Sequence, residues 1–74
     1  MIRIVLNLGK EKLCDTHVSS LPVVNELINF NKETEEGSEE KFLRVTDICR
    51  QLNVYEDNSS DEYFLVKVIE DDID

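Results

Sequence analysis

Cys14-x-x-His17, with Cys49 further along, is the grouping of soft metal ligands in this chain. A structural zinc site wants four ligands, and no second close pair completes this one. A cysteine–histidine nucleophile fares no better, because residues three apart in a strand point to opposite faces. A Cys14–Cys49 disulfide is opposed by the redox poise of the cytosol. The acid pairs Glu39–Glu40 and Asp71–Asp72 could hold a divalent cation, but no calcium-loop spacing accompanies them. Asn58-Ser59-Ser60 matches a glycosylation acceptor; without a secretory signal it reads as a turn. No paired acid and base, activated nucleophile or cofactor loop is visible, so the chain reads as non-catalytic, without metal or cofactor.

Charge is the feature that points to a function. Seventeen acidic side chains face eight basic ones, for a net charge of −9. That balance disfavours direct binding to nucleic acid, whose affinity comes from Lys and Arg, and to anionic membranes. It suits a basic protein partner. The acids fall in three groups. Glu33, Glu35, Glu36, Glu39 and Glu40 form the first, Glu56, Asp57, Asp61 and Glu62 the second, and Glu70, Asp71, Asp72 and Asp74 the third. Around one face, they would form a field able to occupy a phosphate-binding groove.

The elements that must position these groups are few. A chain of 74 residues makes one domain, here 1–74 with an acidic tail at 70–74. At 41% hydrophobic it is too apolar for disorder. No signal peptide or transmembrane run is expected, which places the protein in the cytoplasm. Met1–Leu8 alternates as a strand, Gly9–Lys12 turns, and Leu13–Val18 returns as its hairpin partner. Ser20–Asn31 predicts an amphipathic helix. Ser20 caps it, Pro22 sits in the first turn, and Val23, Val24, Leu27, Ile28 and Phe30 form one stripe. Lys32–Gly37 is a polar link. Ser38–Asn53 admits two readings. The preferred one is a single helix with Phe42, Val45, Cys49 and Leu52 at three-four-three spacing. The other is a strand over Phe42–Val45 followed by a short helix capped at Thr46 or Asp47. Val54–Asp61 is a polar loop, and Glu62–Ile69 is a last strand with apolar residues on both faces.

The hairpin followed by Leu21-Pro22-Val23-Val24-Asn25-Glu26-Leu27-Ile28, and later Val45-Thr46-Asp47-Ile48-Cys49 before a final apolar strand, resembles ubiquitin-like β-grasp proteins of the YukD type. These stretches cover about a third of the chain. The terminal Asp-Asp-Ile-Asp lacks the diglycine that conjugation requires, so the resemblance implies a β-grasp binding module and not a modifier.

The expected fold is therefore α+β: a small sheet from the N-terminal hairpin and the C-terminal strand, with two helices on one face (ββααβ), or alternatively a β-grasp. The expected function is a small acidic inhibitor, of phage or mobile-element type, that occludes a basic nucleic-acid-binding protein by mimicry. The alternative is a ubiquitin-like adaptor that binds its partner through an apolar patch.

Overall fold

Five strands and no helix make up the residues described by the computed structural model, 1–71. They are β1 (Ile2–Leu8), β2 (Glu11–Val18), β3 (Leu27–Thr34), β4 (Gly37–Val54) and β5 (Ser60–Glu70). All join one sheet in the order β2-β1-β5-β4-β3. The β1–β5 pair is parallel and the other pairs are antiparallel.

The 18-residue β4 is the spine. Its first part, Gly37–Arg44, pairs with β3, and Leu43–Val54 pairs with β5. Only near Leu43–Val45 does it have chain on both sides, completed there by hydrogen bonds from Asn25 N to Val45 O (2.8 Å) and from Val45 N to Glu26 O (3.0 Å). That overlap is also the driest point: Leu43, Val45 and Val66 are fully buried. Beyond it the β3–β4 and β4–β5 hairpins leave from opposite ends of β4, and the molecule measures 49 × 31 × 25 Å.

Register assigns the faces, because residues directly opposite one another share a side. Ile4 and Leu6 of β1, Val66 and Val68 of β5, and Leu43 and Val45 of β4 form the buried inner face together with Leu13. Ile28 and Phe30 of β3 pack against its margin. Burying each such Val, Leu or Ile is worth roughly 1.5–3 kcal/mol. A flat sheet without a second layer would leave this face wet, so the sheet curls over it. Two bulges assist the curl, since a bulge adds one residue and sharpens the local twist. Leu13 is the extra residue between β1 and β2, and Thr46 the extra residue between β4 and β5. The Thr46 hydroxyl donates to the Lys67 carbonyl at 3.2 Å, bridging the interrupted ladder.

The expected α+β architecture is overturned. Ser20–Asn31 is a loop, with Asn25 at φ 76°, running into the strand β3. Val23, Val24 and Ile28 are β-branched, and Asn25, Asn29 and Asn31 are poor helix formers. Ile28 and Phe30 alternate with Asn29 and Asn31 at period two, and that pattern wins. Ser38–Asn53 is β4, not a helix, and the alternative short helix after Phe42–Val45 is absent as well. The Thr46 bulge moves the inward positions from 43 and 45 to 48, so no unbroken two-residue period marks the strand, and the expected stripe divides, with Val45 and Leu52 on the inner side and Phe42 and Cys49 on the outer. Leu21–Ile28, the segment that resembles the start of the β-grasp helix, contains no helix.

The N-terminal hairpin agrees with expectation, with Gly9 at φ +61° opening the two-residue turn. The polar link is shorter than read: Lys32–Thr34 extend β3 and only Glu35 and Glu36 turn. Of the acidic tail, Glu70 closes β5, while Asp72, Ile73 and Asp74 lie outside the described residues.

Candidate functional site

The first acidic group occupies the end of the β3–β4 hairpin. Opposed pairs Glu33–Ser38 and Asn31–Glu40 put Glu33 and Glu40 on the outer face, while Lys32–Glu39 faces inward. Glu35 and Glu36 make the turn itself. Gly37 supports it at φ +132°, a conformation that side chains rarely adopt, and the Thr34 hydroxyl donates to the Gly37 carbonyl at 3.0 Å. Within this group Glu39 has a cation partner, Lys41 at 3.0 Å. No ion pair among the described residues engages Glu33, Glu35, Glu36 or Glu40.

The second group sits at the other end of β4, where Asp61 and Glu62 have cation partners and Glu56, in the turn, engages no ion pair among the described residues. Asp61 meets Arg3 at 3.2 Å, and Glu62 meets Arg50 at 2.9 Å. Asp57 accepts from the Ser59 hydroxyl (2.5 Å) and the Ser59 amide (3.0 Å), bonds that hold its carboxyl below the usual carboxylate range. Asn58 takes φ 67° to complete this turn. Of the third group, Glu70 lies 3.9 Å from Lys41, and Asp71 pairs with Arg44 at 2.8 Å. Asp72 falls outside the described residues. The three groups therefore do not surround one face. The first two stand at opposite ends of a strand that would span about 55 Å if straight, at roughly 3.3 Å per residue.

Arg3 is a functional-looking residue that the sequence reading passed over. Its Nε and Nη2 donate to the two oxygens of Asp15 at 3.0 and 2.8 Å, and its Nη1 donates to Asp61. The guanidinium lies 5.2 Å from the ring centre of Tyr63. The bidentate hydrogen bonds come first among the causes that hold Asp15 below the ordinary carboxylate range. These contacts tie β1, β2 and β5 together at the wall of an open cleft of about 600 Å³ that also includes His17. With every guanidinium nitrogen engaged, Arg3 is a brace, and an anionic ligand would have to break its pairs. A lone arginine between Ile2 and Ile4 is the signal that could have drawn notice.

Cys14 and His17 part company, as strand geometry requires. Cys14 opposes Leu6 on the inner face, where burial pushes its thiol pKa up, and His17 opposes Arg3 on the outer face. Cys49 is exposed on β4. Among the described residues, no three His, Cys, Asp or Glu side chains converge to hold a metal ion, and no helix is long and apolar enough to cross a membrane. No family model, curated protein or solved structure matches the chain.

Proposed function

We propose that the protein is a non-catalytic acidic binding protein that occupies the basic, nucleic-acid-binding surface of a protein partner. One observation carries this reading. Glu33, Glu35, Glu36 and Glu40 share one hairpin end, and no cation of the described chain pairs with them. An ion pair between exposed side chains is worth little in isolation, but a fixed set of like charges makes a field that steers and selects a basic surface. Strand pairing holds Glu33 and Glu40 on the outer face, and the turn carries Glu35 and Glu36 at its tip. Elsewhere Asp15 and Asp61 pair with Arg3, Glu62 with Arg50, Glu70 with Lys41 and Asp71 with Arg44.

The test is a binding assay against basic proteins recovered on a phosphate-bearing resin, repeated with competing duplex DNA and RNA. Binding should fall steeply with salt, and nucleic acid should compete for the partner surface. Glu33→Lys, Glu35→Lys, Glu36→Lys and Glu40→Lys together should abolish binding, while lysine at Asp61 and Glu62 should leave most of it. A complex that survives about 1 M salt, where the Debye length is ~3 Å, and ignores DNA and RNA contradicts the reading. That result would favour an adaptor that docks through apolar contacts, for which Leu52, Val54 and Tyr55 are exposed at the β4–β5 end.

A further inference from the structure

The sheet curls without closing. Among the described residues β2 pairs only with β1, and β3 only with β4, so each strand leaves one edge unpaired. These two edges face each other across a seam. No Cα of β2 comes within 8 Å of any Cα of β3, which excludes direct pairing at the usual spacing of about 4.8 Å. An upper bound comes from Lys32, whose Nζ donates to the Leu13 carbonyl at 3.5 Å. A lysine reaches about 6 Å from its Cα and a carbonyl oxygen stands ~2.4 Å from its own, so the strands there are at most about 12 Å apart. Two strand spacings sum to roughly 9.6 Å, which lies inside that window. The seam has the width of one missing strand.

Its lining suits such an insert. Ile4 and Leu6 form the floor, Ile28 and Phe30 one wall, and Cys14 and Thr16 the other, around a groove of about 410 Å³. Lys32 bounds one end, and the loop from Ser19 to Glu26 bounds the other. Between these ends runs β2 from Cys14 to Val18, room for about five extended residues. Inward side chains of an inserted strand would meet apolar walls. Its outward side chains would lie beside Asp15 and His17 of β2 and Asn29 and Asn31 of β3; Glu40, opposite Asn31 on the same face one strand further in, has no cation partner among the described residues.

We propose that the β2–β3 seam accepts one extended segment of the basic partner, with apolar and basic residues alternating, as an added strand. The partner's charge rests on the acidic-binding reading above; the strand-wide seam does not. Strand addition derives affinity from main-chain hydrogen bonds and specificity from alternate side chains.

The test is an amide ¹H–¹⁵N titration of the full chain with the peptide Lys-Val-Lys-Val-Lys-Val-Lys. The controls are a block peptide of the same composition, Val-Val-Val-Lys-Lys-Lys-Lys, and the neutral Ser-Val-Ser-Val-Ser-Val-Ser. The alternating basic peptide should shift Cys14–Val18 and Ile28–Asn31 and slow their amide exchange. The block peptide and the neutral peptide should each bind at least tenfold more weakly. Thr16→Lys, at an exposed position that lines the groove, should weaken the alternating peptide at least tenfold. Should that variant fail to fold, the block-peptide comparison on the native chain decides alone. Equal binding of block and alternating peptides, or shifts confined to Glu33–Glu40, overturns the strand-addition site and leaves the acidic-binding reading standing. Equal binding of the neutral peptide at the seam overturns the basic occupant. Shifts in β2 and β3 that grow with protein concentration alone, with a dimer mass in light scattering, overturn the proposal in favour of a second copy.

Discussion

The two ends of β4 carry acids in similar number and put them to different use. At the β3–β4 end, four glutamates stand without cation partners, and one, Glu39, pairs with Lys41. At the β4–β5 end, Asp61 and Glu62 are held by Arg3 and Arg50, Asp57 is held by Ser59, Glu56 alone of the four acids has no such partner among the described residues, and Leu52, Val54 and Tyr55 add exposed apolar surface. The difference teaches that net charge does not locate a field. Carboxylates with a local cation contribute mainly to holding the fold, and those without one contribute to what the molecule attracts.

The largest expected effect comes from cutting the point where both ends are anchored. Leu43→Ala removes a fully buried side chain at the overlap of the two halves of β4 and should cost about 2–5 kcal/mol in a urea melt. Both hairpins should lose amide protection together. Leu52→Ala, 55% exposed at one end only, should stay within about 0.5 kcal/mol. Equal losses for the two variants would break the comparison, because the β4–β5 end would then be as well packed as the middle.

A smaller effect separates the ends by pH. Asp15 and Asp57 have depressed folded-state values, set first by the Arg3 and Ser59 side-chain hydrogen bonds respectively. Their contribution is therefore complete above the unfolded carboxylate value of about 3.9 and is lost as pH falls through the folded value. Lys41 behaves oppositely. The hydrogen bond to Glu39 is the first cause of its raised value, so its contribution is complete below about 10.4 and is lost as pH rises through the folded value. Amide exchange should show acid loosening the Arg3 brace and the β4–β5 turn first, and alkali the β3–β4 end first. Asp15→Asn should remove part of the acid response without touching the alkaline one. The reverse order of loosening would contradict the assignment of these pairs.

Part of this arrangement was legible in the sequence. Gly9 and the clean alternation of Ile2, Ile4, Leu6 and Leu8 specify the first hairpin, and Phe64, Val66 and Val68 specify β5. β3 and β4 were not legible as strands. Over 23–30, the approach to β3 and its first half, five apolar residues within eight fit a helical stripe as well as a strand, and only the Ile28/Phe30 alternation distinguishes them. In β4 the bulge at Thr46 breaks the two-residue period, and a bulge is a property of the pairing with β5, not of β4 alone. The acids were legible as charges. Their availability was not, because Arg3 finds Asp15 and Asp61 across separations of 12 and 58 residues that no local pattern encodes.

The contrast between the ends is tested most directly with a decalysine peptide added to the ¹⁵N-labelled protein at low salt, followed residue by residue. Amide shifts should concentrate in Glu33–Glu40, saturate there first, and vanish as the Debye length shrinks to about 8 Å near 0.15 M salt. Tyr55–Glu62 should move less, since Arg3 and Arg50 already face Asp61 and Glu62. Shifts as large at Tyr55–Glu62 as at Glu33–Glu40 would contradict the claim that the β3–β4 end has the greater uncompensated charge to offer.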